Sequence, residues 1–180
     1  MKILAFAASN SRHSINKRLV SYAATYFKNH DFGNHDVELI DIHDYEMPIF
    51  SVDREQESGI PEQAHQFYNK IGAADALLIS FAEHNGNYTT AYKNLFDWTS
   101  RINQKVYQGK PAVLLATSPG PGGGRNVLAS AKTSAPHFTM EVKADLSIPR
   151  FYDNFDVENS RISNSEIQAQ LEAVLAQLNG

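Results

Sequence analysis

Ser9-Asn10-Ser11-Arg12-His13-Ser14-Ile15-Asn16 is the stretch from which the rest of the chain can be ordered. An apolar run, Ile3-Leu4-Ala5-Phe6-Ala7-Ala8, leads into it and has the unbroken character of a strand buried on both faces. Beyond it, Ile15, Leu19, Val20, Ala23, Ala24 and Phe27 recur at helical spacing and form one apolar stripe. The residues between are therefore a strand-to-helix turn, rich in hydroxyls and amides and carrying an arginine. Turns of this kind hold anions, because unpaired N–H groups and the positive end of the helix dipole face outward. Ser9, Ser11 and Ser14 add hydroxyl donors, Asn10 and Asn16 add amides, and Arg12 adds a charge able to make a bidentate contact. The turn is read as a phosphate grip. The plainer alternative is that Ser14 is an N-cap and the residues before it an ordinary polar turn. Three spaced glycines and a GKS or GKT ending are both missing, which argues against a dinucleotide fingerprint and a phosphate-loop NTPase.

The same alternation continues downstream. Val37 to Ile42 reads as a second strand, after a polar loop from Lys28 to Asp36. His43 to Pro61 reads as a long loop containing the solvated acidic run Asp53 to Glu57, with Met47, Pro48, Ile49 and Phe50 apolar enough to dock near a site or a subunit contact. Pro61 stands at the start of a helix over Glu62 to Ile71. Ala76 to Phe81 is a third buried strand and runs into Ala82-Glu83-His84-Asn85-Gly86-Asn87-Tyr88, with a helix from about Thr89 to Arg101. A fourth strand, Ala112 to Thr117, ends in Ser118-Pro119-Gly120-Pro121-Gly122-Gly123-Gly124-Arg125 and a helix over Asn126 to Ala135. One extended strand ending at Pro149 is expected next. The last helix should be opened by Ser163 and Glu166 as a capping box.

Buried strands alternating with amphipathic helices imply a parallel sheet covered on both faces, in one domain over residues 1–180. Ligands in such sheets lie beyond the carboxyl ends of the strands. The unusual loops after the first, third and fourth strands all fall at that edge. One would take a phosphate; the others offer backbone groups, and glycines that let a flat ligand approach. Together they describe a mononucleotide site, for flavin mononucleotide (FMN) in particular.

Composition narrows the chemistry further. Hydrophobic residues make up 42% and charged residues 20%, and the net charge of −4 comes without a basic stripe, so nucleic acid is not an expected partner. No cysteine is present, which removes disulfides, thiolate metal sites and cysteine nucleophiles and leaves redox work to a bound cofactor. Histidines 13, 30, 35, 43, 65 and 137 show no metal-ligand spacing, and no GxSxG elbow surrounds Ser9 or Ser14. No signal-peptide pattern or membrane-length run is seen, so a cytoplasmic location is expected.

Three motifs carry a family resemblance. Ser9-Asn10-Ser11-Arg12-His13-Ser14-Ile15-Asn16 resembles the phosphate loop of the NADPH-dependent FMN reductases. So do Glu83-His84-Asn85-Gly86 with Lys93-Asn94-Leu95-Phe96-Asp97-Trp98, and Thr117 to Gly123. The similarity runs from Met1 to about Phe155. It implies a flavodoxin-like three-layer αβα sandwich with a five-stranded parallel sheet in the order 2-1-3-4-5. It also implies an FMN-dependent NAD(P)H oxidoreductase, ping-pong, passing hydride to a quinone, azo, nitro, metal-oxyanion or flavin acceptor, with no catalytic side chain. By the resemblance Ser9, Ser11, Arg12, Ser14, Ile15 and Asn16 should hold the FMN phosphate. Ala82, Glu83, His84, Asn85 and Gly86 should line the ring, and Ser118, Pro119, Gly120 and Gly123 should border its other side. NADPH or NADH would be the co-substrate, a small-molecule acceptor the partner, and a homodimer or dimer of dimers the assembly. The family usually has Pro-Glu-Tyr-Asn-Gly where this chain has Ala82-Glu83-His84-Asn85-Gly86, so the flavin environment should differ. A flavodoxin-type electron carrier is the rival reading, disfavoured by the modest net charge and the Ser/Asn loop. A phosphoacceptor receiver is disfavoured because the relevant strand ends lack an aspartate.

Overall fold

The computed structural model describes residues 1–29 and 35–179. Part of the polar loop expected from Lys28 to Asp36 lies outside the described residues. Five parallel strands form the sheet: β1 (Lys2–Ala8), β2 (Asp36–Asp41), β3 (Ala76–Phe81), β4 (Pro111–Thr117) and β5 (Glu141–Ile148). Their order is β2-β1-β3-β4-β5, the flavodoxin-like arrangement. The three central strands are buried along nearly their whole length, as continuous apolar runs require.

Two hydrophobic layers cover the sheet. One face packs against α1 (Ile15–Asn29) and a C-terminal helix. The other packs against α3 (Glu62–Ala73), α4 (Thr90–Ile102) and α5 (Arg125–Ser134). Trp98 of α4 is 1% exposed and belongs to the core. Its indole Nε1 donates to Pro48 O at 2.7 Å, while its neighbour Asn94 donates to Met47 O and Pro48 O and accepts from Phe50 N.

These contacts correct the reading of 43–61 as a loop. A 3-10 turn, Ile42–Tyr45, is followed by an α-helix, α2 (Val52–Ser58), capped by the Ser51 hydroxyl. No residue of α2 is buried, so its sequence shows no apolar periodicity; of its acidic run, Asp53 and Glu57 are exposed as expected, whereas Glu55 pairs with Arg101 at 2.9 Å. At the C-terminus a short helix, α6 (Phe151–Asn154), and a two-stranded hairpin, β6 (Phe155–Asp156) with β7 (Arg161–Ile162), precede α7 (Ser165–Leu175). The capping box is also corrected: Asn164, not Ser163, caps α7, its side-chain oxygen accepting from Glu166 N and Ile167 N.

Candidate functional site

β1 has β2 on one side and β3 on the other, so the chain reverses direction across the sheet between β1 and β3. Beyond that point, a cleft of about 250 Å³ is enclosed by the loops after β1, β3 and β4. The first loop lines it with Ser9, Ser11, Ser14, Ile15 and Asn16, and the second with Ala82, Glu83 and His84. The third contributes Ser118 and Pro119. Two further lining residues, His13 and Thr117, were not among the expected site residues. Thr117 reads from sequence as the last residue of a buried strand, and His13 shows no metal-ligand spacing.

The first loop keeps its donors unspent. Within it, Ser14 N donates to Ser11 O at 3.2 Å, and Ser11 N to Ser9 Oγ at 3.3 Å. The N–H groups of Arg12, His13, Ile15 and Asn16 have no acceptor among the described residues; the last two lie in the first turn of α1, where a helix leaves its N–H groups unpaired. Ser14 does cap α1, since its Oγ accepts from Lys17 N at 3.3 Å. Its hydroxyl proton stays available, so the N-cap and phosphate-donor readings are compatible.

Two expected site residues have their side chains occupied elsewhere. Asn16 is 2% exposed; its Oδ1 accepts from Ser80 Oγ at 2.8 Å and Thr117 N at 3.0 Å, and its Nδ2 donates to Thr117 O at 3.1 Å. It therefore ties the start of α1 to the ends of β3 and β4, and its backbone N–H stays unpaired among the described residues. Glu83 accepts from Asn126 N and Val127 N, both at 2.9 Å. It caps the exposed end of α5 and places negative charge where that helix dipole favours it.

Asn85 and Gly86 form the tip of a tight turn, with φ of 51° and 76°. His84 N donates to Asn87 O at 2.9 Å and Asn87 N to His84 O at 3.1 Å. This is the Asn-Gly reversal, whose two positive-φ positions favour that dipeptide. It carries His84 at the cleft margin, where His84 also lines a neighbouring cavity of about 290 Å³ with Asn10, Glu46, Met47, Ile49 and Asn94. Asn10 Nδ2 donates to Glu46 Oε1 at 2.6 Å, and that bond holds the Glu46 carboxyl below the usual carboxylate range.

The glycines of the third loop divide into two kinds. A Cβ at Gly123, with φ of +63°, would stand 2.5 Å from Ser147 Oγ and 3.0 Å from Pro149 N. The glycine there is demanded by β5 and not by a ligand. At Gly120 and Gly122 an added Cβ meets nothing within 4 Å, so close approach from outside is open there. Gly120 and Gly123 do not line the cleft itself, and neither does Arg12, which lines a cavity on the flank of α1. Among the described residues no group of three or more His, Asp or Glu side chains could hold a metal ion, and no helix is long and apolar enough to cross a membrane.

Residues 1–153 match the family of NADPH-dependent FMN reductases. A 2-hydroxy-1,4-benzoquinone reductase from a Burkholderia species is 36% identical over 121 residues, covering 67% of this chain and 62% of that protein. An NADPH:quinone oxidoreductase from Arabidopsis thaliana is 36% identical over 90 residues, or 50% of this chain and 44% of the relative. These alignments span about half of the relatives' own length. Among solved structures, the flavoenzyme NAD(P)H:acceptor oxidoreductase FerB from Paracoccus denitrificans superposes with a TM-score of 0.74 at 21% identity, covering 99% of this chain and 94% of FerB. That likeness supports the fold, which the strand order already shows. With its matching residues spread over β1 to β5, the chain belongs to the NADPH-dependent FMN reductase family.

Proposed function

We propose that the protein is an FMN-dependent NAD(P)H oxidoreductase that reduces quinones or similar small two-electron acceptors. One observation carries the reading: loops more than a hundred residues apart meet in one cleft whose first wall offers three hydroxyls and the N–H groups of His13, Ile15 and Asn16, unpaired among the described residues. That donor set suits a phosphate monoester, and it agrees with the family's cofactor. The open space over Gly120 and Gly122 suits the close approach of a flat ring system.

The N–H groups of His13, Ile15 and Asn16 would hold the phosphate, with the hydroxyls of Ser9, Ser11 and Ser14 completing its shell. Asn16 and Glu83 act as positioning residues, because their side chains fix the loops. Ala82, His84, Asn85 and Gly86 would border the ring on one side and Ser118, Pro119 and Gly120 on the other. Gly123 serves the site indirectly, by letting the third loop close against β5. FMN held there would supply the hydride-transfer chemistry between NAD(P)H and an acceptor, in a ping-pong order. The mixed polar and apolar cavity across His84 suits a small planar acceptor such as a benzoquinone. A homodimer or dimer of dimers would give Ile49 and Val52, 59% and 56% exposed beside that cavity, a surface to cover.

The test is the visible spectrum of the purified protein before and after anaerobic NADPH. A flavin spectrum that bleaches, and returns on addition of a benzoquinone, is the expected result. A flavin that neither nicotinamide reduces would point to an electron carrier, and failure to retain added FMN would end the proposal.

A further inference from the structure

The flank of α1 carries a cavity of about 240 Å³ that adjoins the cofactor cleft, sharing His13 and Ser14 with it. Its helix side is formed chiefly by Arg12, Lys17, Arg18 and Tyr22, and Ser160, from the turn between β6 and β7, forms the opposite wall. In a chain of net charge −4, three permanent cations and no carboxylate line one cavity.

Two of those cations are largely unspent. Lys17 is paired with Asp41. Arg18 makes one long contact, from Nη1 to Val157 O at 3.4 Å, and Arg12 makes no hydrogen bond or ion pair among the described residues. Each guanidinium has five N–H donors in a planar fork that matches a phosphate. The acidic groups of the facing turn are Asp156 and Glu158; Asp156 is held by Asn159 and Arg161, and neither lines the cavity.

A cofactor with a single phosphate is already met by the N–H groups of the loop, and it leaves this second cationic space without a ligand. We propose that the cavity receives the 2′-phosphate of NADPH, and that Arg18 makes the protein select NADPH over NADH. The phosphate is a dianionic monoester, whereas NADH presents a neutral hydroxyl at the same position, so the difference in charge falls where the cations are concentrated. Tyr22, half-buried in the same wall, adds an aromatic ring suited to contact with the purine. The proposal rests on the oxidoreductase reading above, in which a nicotinamide dinucleotide reaches the adjoining cleft.

The experiment measures calorimetric binding of 2′,5′-ADP and of 5′-AMP to FMN-loaded protein, for the wild type and Arg18→Ala. We expect 2′,5′-ADP to bind about tenfold more tightly than 5′-AMP, and the substitution to erase that preference without changing FMN affinity. In turnover the variant should raise the KM for NADPH about tenfold and leave the KM for NADH unchanged. Equal affinity of the two nucleotides for the wild type would overturn the proposal. So would inorganic phosphate competing as well as 2′,5′-ADP, which would make the cavity a site for the free ion. If the protein held no FMN, the oxidoreductase reading would fall. The same nucleotide comparison on the apoprotein would still decide whether the cavity reads a 2′-phosphate.

Discussion

The loops after β1 and β4 stand at the same edge of the sheet and look alike in sequence, both short on bulk and rich in turn residues. Both leave N–H groups without acceptors among the described residues, and they differ in how their carbonyls are held. The first, with the start of α1, leaves the N–H groups of Arg12, His13, Ile15 and Asn16 without acceptors among the described residues. The second is braced throughout: Arg150 N donates to Gly120 O at 2.9 Å, Phe151 N to Ser118 O at 3.0 Å, Ser147 Oγ to Gly123 O at 3.0 Å, and the Arg125 side chain to Gly122 O and Pro121 O. Glycine content therefore does not identify the binding loop. Four glycines lie in the braced one, and two of them, Gly123 and Gly124, fill close approaches to β5 and β4. What sets the first loop apart is the three serine hydroxyls that join its unpaired N–H groups at the cleft.

The largest effect should come from the residue that holds both loops. Asn16→Ala removes three buried hydrogen bonds and strands the Thr117 N–H, the Thr117 carbonyl and the Ser80 hydroxyl. Urea denaturation of the FMN-free protein should show a loss of about 3 kcal/mol. A loss under about 1 kcal/mol would mean the tie is dispensable and the first loop is ordered by its own turn. Next, Gly123→Ala should cost about 2 kcal/mol, since the new methyl must displace Ser147 or the backbone at Pro149 while the residue holds a positive φ. Gly120→Ala should leave the same denaturation curve unchanged and weaken FMN instead. Equal stability losses at the two positions would break the division drawn between braced and ligand-facing glycines.

Glu83→Ala comes third, at about 1 kcal/mol of stability, because it uncaps α5 and frees the second loop from the third. Glu83→Gln keeps an acceptor and should recover most of that loss. This residue also marks where sequence reading stops. The central strands were legible because continuous apolar runs have one common explanation, and the turn between β1 and α1 because the strand and helix on either side fix its place. The roles of Glu83 and Asn16 were not legible. Their partners lie 43 and 101 residues away, and a carboxylate or amide in a loop looks the same whether it faces a ligand or a helix end. The order in 43–61 was hidden for a similar reason. α2 has no apolar face to betray it, and the chain before it is pinned by Asn94 and Trp98 from another element. At the last helix, Ser163 and Asn164 are equally good caps by type, so spacing alone selected the wrong one.

The smallest effect on the fold should accompany a definite effect on the ligand, and that combination tests the comparison most directly. Ser11 is exposed, its hydroxyl makes no hydrogen bond among the described residues, and it lines the cleft. Ser11→Ala removes that donor and nothing that supports β1 or α1, since the turn is closed by Ser11 O and Ser9 Oγ, which the substitution keeps. The denaturation midpoint should therefore stay within experimental error of the wild type. FMN affinity, measured by quenching of flavin fluorescence, should fall about five- to tenfold, the usual net worth of one hydroxyl donor to a charged oxygen. A substitution that weakened the fold without touching FMN would invert the comparison. It would make the first loop a structural turn like the fourth strand's, and its free N–H groups an ordinary helix end open to water.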